Sequence, residues 1–377
     1  MIFVALKSKL LYNEFEQRKY TKIMEQKTKK LFTNEIVWRG HPDKVCDQIS
    51  GAILDELLRQ DKGSRVGIET AIKNNKIFIF GEITSNAKVD YVEVARRVVR
   101  DIGYTEDYDV ITEISEQSRD IALGTNNEVG GAGDQGMMFG YACNDTDCLL
   151  PTAMVILQRL AKWYDVLLHS LDFPYHNWLR PDGKAQITGI YDADFRLIGI
   201  DTFLVSYCND EEHREELDKV IKNKIKSLCA EYGITEIGRI LINPTGKFEI
   251  GGSFGDAGLT GRKIVVDAYQ GFANVGGGCM NGKDPTKVDL TGAHKARQIA
   301  CELLKKHNLK WCEVQLSYSI GLERPMAIYV DSDKGNIEVG EELYESCTPR
   351  KMIEDLSMKT KNYEQLAKFG HFNCFEE

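Results

Sequence analysis

The sequence predicts an α+β protein built from three structurally related helix–hairpin–helix domains with pseudo-threefold internal symmetry. Three observations lead there. One pattern, a helical apolar period followed by two strand-like runs and a second helix, recurs three times along the 377 residues. A composition with 42% hydrophobic and 28% charged residues is that of a packed chain too long for one minimal core. Glycine-rich loops lie between the repeats, and the order of elements is not that of a doubly wound βαβ chain.

The first helix is expected over 42–59, where Val45, Ile49, Ile53 and Leu57 share a face and Pro42 suits the first turn. A hairpin follows, with Val66, Ile68 and Ile72 leading into Asn74-Asn75 and residues 77–83 returning. A second helix over 89–102 stops at Gly103. The second copy has an apolar helix over 152–168, a hairpin over 185–207 turning at Asp192-Ala193-Asp194, and a charged helix over 211–232 ended by Gly233. The third has a helix over 293–307, strands within 312–330 and helical signals between 341 and 358. These readings divide the chain into a basic extension (1–30), an N-terminal domain (31–130), a central domain (131–249) and a C-terminal domain (250–377). Strands this apolar on both faces leave surface that one subunit does not cover, so self-association is expected.

Composition excludes several classes. No apolar run approaches the roughly 20 residues that span a bilayer, and Lys7 interrupts the short apolar start, so neither a membrane partner nor a secretory signal is expected. Ten cysteines without a CxxC pair read as reduced thiols of a cytoplasmic protein, and seven histidines without HExxH argue against zinc. A net charge of −9 is not that of a nucleic-acid binder, although residues 1–30 carry eight basic against three acidic side chains. That arm reads as a frayed extension, or as sequence ahead of a natural start at Met24.

The glycine loops carry the chemistry. They are Gly130-Gly131-Ala132-Gly133-Asp134-Gln135-Gly136, residues 251–263 ending in Gly261-Arg262-Lys263, and residues 276–289 with Gly276-Gly277-Gly278, Lys283 and Asp289. Glycine lets backbone donors approach an anion, lysine and arginine neutralise it, and carboxylates among such groups suit a bridging Mg²⁺. Residues 277–283 imitate a P-loop, but Asp284 stands where the Mg²⁺-binding hydroxyl is needed and Pro285 forbids the helix, so that reading fails. Gly40-His41-Pro42-Asp43-Lys44 opens the first helix and can face a polyphosphate.

Taken together and in order, Gly40 to Lys44, Gly131 to Gly136, Gly255 to Lys263 and Gly276 to Asp289 resemble the signature segments of the S-adenosylmethionine synthetase family, from about Leu31 to Phe372. The resemblance implies a methionine adenosyltransferase that uses ATP and L-methionine with a pair of Mg²⁺ ions per site and K⁺. It implies an active site shared between subunits of a dimer or dimer of dimers. By matching position, His41 lies beside the triphosphate, and Lys184, Arg262, Lys263 and Lys283 hold phosphates. Asp182, Lys247, Phe248, Asp256 and Cys279 fall in the ATP site, and Glu82, Gln117, Asp134, Asp256 and Lys287 in the methionine site. Asp43 and Asp289 are implied Mg²⁺ ligands and Glu69 the K⁺ ligand. For Phe248 a packed aromatic, and for Glu82 a solvated strand residue, stay open as alternatives. The polar segment over 111–130 matches the family's gate.

The sequence departs from the family near the site. Trp38-Arg39 replaces Ser-Glu, Arg119 follows Gln117-Ser118 where proline is usual, and Ser253-Phe254 replaces a proline-containing pair. Cys279, Met280 and Asn281 stand for alanine, an aromatic and serine, and Leu290 for arginine. Arg39 is expected either to add charge to the triphosphate site or to fill substrate space. A catalytically silent nucleotide-binding paralogue of a synthetase is the alternative reading; the retained phosphate and metal positions favour an active enzyme.

Overall fold

The structure, a computed structural model, describes residues 29–117, 130–171 and 174–375; the arm up to residue 28 and the gate from 118 to 129, with Arg119, lie outside the described residues. Strand β1 (Lys30–Val37) runs through a turn into α1 (Pro42–Gln60), with Pro42 in the first turn. Strands β2 (Arg65–Lys73) and β3 (Lys76–Thr84) form the expected hairpin, in which Asn74 takes the left-handed conformation at φ 51° that asparagine tolerates. Helix α2 (Tyr91–Ile102) is capped by the Asp90 carboxylate and ended by Gly103 at φ 106°. Strand β4 (Asp109–Ser115) then lies parallel to β3. The segment expected as a gate from 111 thus begins as sheet, because Val110 and Ile114 pack against the core and the β-branched run holds them extended.

The central unit comprises β5 (Gly136–Cys143), α3 (Thr152–His169), β6 (Leu179–Tyr191), β7 (Leu197–Asn209), α4 (Arg214–Glu231) and β8 (Ile237–Ile242), the last parallel to β7. The third has β9 (Gly258–Leu259), α5 (Val288–His307), β10 (Trp311–Tyr318) and β11 (Ala327–Ser332), and ends in three short helices, α6 (Glu341–Ser346), α7 (Pro349–Asp355) and α8 (Tyr363–Phe369). Helix α5 starts five residues earlier than its apolar period suggested. Thr291 and Gly292 weaken the helical signal, yet both are buried, and Met138 fills the space a Cβ at Gly292 would enter.

The threefold relation extends to connectivity. The sheets are ordered β1-β6-β7-β8, β9-β2-β3-β4 and β5-β10-β11. In each, the strand that precedes one unit's first helix pairs antiparallel with the first hairpin strand of the next unit: β1 with β6, β5 with β10, β9 with β2. Sheets therefore cross the sequence-based boundaries at 130/131 and 249/250. Ile36 and Val37 of β1 are buried in the core of the central unit beside Ile187 and Phe203. A second core joins the first and third units through α1, α2 and α5.

Candidate active site

The exchange of strands brings the second glycine loop onto the first turn of α1, while the first and third loops gather at the start of α5. His41 is its N-cap, and its Nδ1 accepts the Asp43 N–H at 3.2 Å. Asp43 is buried; its Oδ1 accepts the Leu259 N–H at 3.0 Å and its Oδ2 meets Lys263 Nζ at 2.5 Å, with the Arg262 guanidinium 3.6 Å from Oδ1. The short β9 places this second loop. A Cβ at Gly258 would lie 2.2 Å from the Pro42 carbonyl oxygen, so only glycine lets the loop come so near the helix end. Asp182 on β6 is buried, accepts the Gly252 N–H at 2.8 Å and has its pKa raised to about 6 by burial. Exposed Asp256 and Lys184 act electrostatically on both His41 and Asp182. Burial first, then Lys263, lowers the His41 pKa to about 4. The ring is neutral at pH 7 and, since Nδ1 accepts, its proton sits on Nε2.

A second group gathers around the third loop. Lys283 Nζ lies 2.5 Å from Asp289 Oδ2, and Asp289 belongs to the first turn of α5. The loop is tied to β2: the Ile68 N–H donates to the Gly282 carbonyl at 2.9 Å, and Gly282, at φ 72°, has no room for a Cβ. A Cβ at Gly278 would fall 2.0 Å from the Asp289 carboxylate carbon, so the bare glycine makes the carboxylate's seat. The first loop closes on the same place, with Gly133 against the Thr286 carbonyl and Gly136 against Asp289. Half-buried Glu69 has its pKa raised by burial, opposed by Lys283, and Glu82 stands opposite Gly67 on the neighbouring strand. Among the described residues no hydrogen bond or ion pair joins the two groups. Burial first, then Asp47 and Asp43, raises the pKa of the Cys46 thiol of α1.

Other sequence-based candidates fall outside these contacts. Lys287 caps α5 and pairs with buried Asp284 at 2.5 Å, at the edge of a cavity of about 640 Å³ lined by Lys62, Arg65 and Arg350. Lys247 pairs with Glu249 in an exposed loop, and Phe248 is half-buried, its carbonyl accepting the Asn209 N–H. Asp134 is exposed and holds the Gln135 N–H, while the Gln117 N–H donates to Thr84 Oγ1 at 3.2 Å. Cys279 is half-buried beside Gly261, and burial raises its thiol pKa.

Sequence reasoning missed what lies underneath. Lys44, expected to face a polyphosphate, is fully buried, 2.5 Å from Asp267 Oδ1 and 3.1 Å from Asp47 Oδ2. Asp47 accepts the Gly261 N–H at 2.9 Å; Asp267 accepts Asn281 Nδ2 at 2.8 Å; and Asn281 Oδ1 meets His371 Nε2 at 2.8 Å. One buried lysine thus underpins both phosphate-type loops. The available signal was the Lys44–Asp47 spacing of three on a helix face whose other members are buried. Arg39 also turns inward. Its Nε donates to Gln48 at 3.0 Å, its Nη1 lies 3.4 Å from Asp165 of α3, and Trp38 stacks on Tyr164, so the side chain joins α1 to α3 instead of taking either expected place, at the triphosphate or in substrate space. A buried guanidinium needs a carboxylate, and α3 supplies one. Leu290 is wholly in the core, about 100° around α5 from Asp289.

The family descriptions that match are S-adenosylmethionine synthetase N-terminal domain over residues 29–120, central domain over 129–248 and C-terminal domain over 250–376. The chain belongs to the S-adenosylmethionine synthetase family. It is 41% identical over 373 residues to an S-adenosylmethionine synthase of Clostridium tetani (strain Massachusetts / E88), covering 91% of this chain and 94% of that relative. It is 40% identical over 376 residues to one of Nocardioides sp. (strain ATCC BAA-499 / JS614), covering 92% and 94%. The central and C-terminal spans each begin one residue ahead of a glycine loop, those starting at Gly130 and Gly251.

The donor set suits magnesium. Asp43 and Asp289 offer hard oxygens, each already balanced by a lysine, and Mg²⁺ typically takes one or two carboxylates and completes its shell with phosphate and water. The one compact acid–histidine cluster among the described residues, Asp210, Glu212 and His213, is at the surface and shares no residue with either group.

Proposed function

We infer that the chain is a methionine adenosyltransferase, forming S-adenosylmethionine from ATP and L-methionine and then cleaving the triphosphate with water to diphosphate and phosphate. The observation that carries this is the neutral, tautomer-fixed His41 set among Lys184, Arg262 and Lys263 at the start of α1. The methionine sulfur attacks C5′ of ATP, the C5′–O bond breaks, and its electrons leave on the triphosphate. A thioether is already a nucleophile, so no protein base is needed. The residues instead stabilise the charge that grows on the departing oxygens: His41 Nε2–H donates to the leaving oxygen, Lys184, Arg262 and Lys263 neutralise the chain of phosphates, and Lys283 does so from the second group. Asp182 and Phe248 border the nucleoside, and Glu82, Gln117, Asp134, Asp256 and Lys287 the methionine.

Asp43 and Asp289 would hold Mg²⁺, which screens the triphosphate, and Glu69 would hold K⁺; burial and a neighbouring Glu82 make its carboxylate a good seat for a weakly hydrated cation. The separation of cation-rich and acid-rich groups supports a site completed by a second copy, the first group of one subunit facing the second group of its partner. Phe78 and Phe80, exposed on the same face of β3 as Glu82, are apolar surface for that contact. A cytoplasmic location fits ten cysteines outside any disulfide framework. No observation favours a silent paralogue.

Mass spectrometry of the purified chain with ATP, methionine, Mg²⁺ and K⁺ tests the reading. S-adenosylmethionine formation lost in His41→Ala supports it; bound ATP with no product overturns it.

A further inference from the structure

We propose that Tyr104 is a positioning residue for the adenosyl-transfer step, its hydroxyl setting the turn that carries His41 against the glycine loop that closes on Asp182. The inference rests on the reading of His41 as donor to the leaving oxygen. Helix α2 stops at Gly103, and the Tyr104 N–H still returns to the Val99 carbonyl at 3.1 Å, so the side chain leaves the helix end in a fixed direction. It is half-buried against the core that joins the first and third units. There the hydroxyl donates to the Gly40 carbonyl at 2.5 Å. The peptide between Gly40 and His41 is thereby held at both ends, since the His41 N–H donates to the Trp38 carbonyl at 3.0 Å. With the ring Nδ1 accepting the Asp43 N–H, both the backbone and the imidazole of His41 are fixed.

Three units meet at this tyrosine. Gly40 lies so near the central unit that a Cβ on it would fall 2.3 Å from Pro181 Cβ. Gly252 of the third unit, at φ 59°, lies flat on the phenol: a Cβ there would fall 2.5 Å from the Tyr104 hydroxyl and 2.7 Å from its Cε1. The Gly252 N–H donates to Asp182 at 2.8 Å. The next residue is fastened to the turn of the first hairpin, for Ser253 Oγ donates to the Asn74 carbonyl at 2.6 Å and the Asn74 N–H donates to the Ser253 carbonyl at 2.8 Å. The loop is thus pinned where it leans on Tyr104. A phenol has one proton to give, and here it is committed to Gly40, so the hydroxyl acts through the His41 turn.

Tyr104→Phe keeps the ring against Gly252 and deletes the bond to Gly40. His41 Nε2 then loses its aim, while Lys184, Arg262, Lys263 and Lys283 remain. Donation to the leaving oxygen matters when the C5′–O bond breaks and not when water later opens the triphosphate, so the two reactions separate the roles. Full-length wild type and Tyr104→Phe are compared for S-adenosylmethionine formation, read by mass spectrometry, and for hydrolysis of added tripolyphosphate, both with Mg²⁺ and K⁺. Rates are taken per folded molecule, with folding followed by circular dichroism. The kcat for S-adenosylmethionine formation should fall about tenfold to a hundredfold, the cost of a small misplacement at the reacting atoms. The methionine KM and the tripolyphosphate rate should each change by less than about threefold. An equal loss in both reactions, or an unchanged kcat beside a lower urea midpoint, would overturn the proposal and leave Tyr104 a structural residue. A wild type that hydrolyses tripolyphosphate and forms no S-adenosylmethionine is a separate failure, that of the transferase reading, seen before any substitution is made.

Discussion

Replacing Lys44 with methionine keeps much of the side-chain volume and removes the charge at the centre of the buried network. Burial opposes that charge, but Asp267 and Asp47 outweigh it and hold the lysine pKa above its ordinary value. Without the ammonium, two carboxylates that are fully buried face each other with no cation. Breaking a buried pair by removing one partner costs about 3–5 kcal/mol, and the apolar stem of methionine returns about 1 kcal/mol of packing. A net loss of about 3 kcal/mol is expected. Its pH dependence has a definite sign. Asp47 already has a pKa raised by burial to about 6, and losing Lys44 raises it further. A carboxylate whose folded pKa exceeds its unfolded one favours the folded state most at low pH, and that contribution disappears as pH rises through the folded pKa. The gap between wild type and Lys44→Met should therefore widen from pH 5 to pH 8. Urea unfolding followed by circular dichroism at both pH values measures it. A cost below about 1 kcal/mol, or one that does not change with pH, would refute the view of Lys44 as the shared charge beneath the loops.

Other substitutions separate fold from site. Gly278→Ala should raise the Mg²⁺ concentration for half-maximal activity about tenfold or more by displacing Asp289, with the melting temperature nearly unchanged; a Mg²⁺ titration of initial rates reads this. Arg39→Glu sets a new carboxylate against Asp165 in a buried position, so stability should fall by about 2 kcal/mol or more while the methionine KM of the remaining folded enzyme holds; a changed KM would restore the substrate contact. His41, its pKa lowered to about 4, contributes stability above its unfolded value near 6.5 that is lost as pH falls through about 4, and His41→Asn should flatten that part of a melting-temperature profile. Asn281→Ser, which restores the family's residue, should cost about 1–2 kcal/mol by leaving His371 and Asp267 each short of a partner, seen as a lower urea midpoint.

Local periodicity revealed the helices and the hairpins because a helix or a two-residue turn is written in neighbouring residues. Asn74-Asn75 and Gly103 needed nothing from elsewhere in the chain. What periodicity could not show was partnership across the chain. Residues 31–37, where no element was expected, fall in the first unit by sequence and pair as a strand in the second, and Gly258-Leu259, too short to register as a strand, closes the first sheet. The family motifs marked His41, Asp43, Arg262, Lys263, Lys283 and Asp289, which the fold gathers into two groups. Lys44 belongs to the same motif and was misread, because whether a lysine at the start of a helix faces solvent or the interior depends on Asp267, more than 200 residues away. For Arg39 the sequence left two alternatives and offered no third, its partner Asp165 lying on a helix of another unit.

The exchange of edge strands also sets a timetable for synthesis. As the chain emerges from the ribosome, the hairpin of the first unit can form early, but its sheet lacks an edge until residues 258–259 have been made. The central sheet has no such delay, since β1 is already waiting when β6 appears. Its four strands are complete once residue 242 is out, before the first sheet can be. The third sheet needs β10 to capture β5, and α8 must still return to lie on α1. A nascent chain stopped before the last of these steps would carry open strand edges and bare helix faces, the surfaces through which unfinished chains adhere to one another.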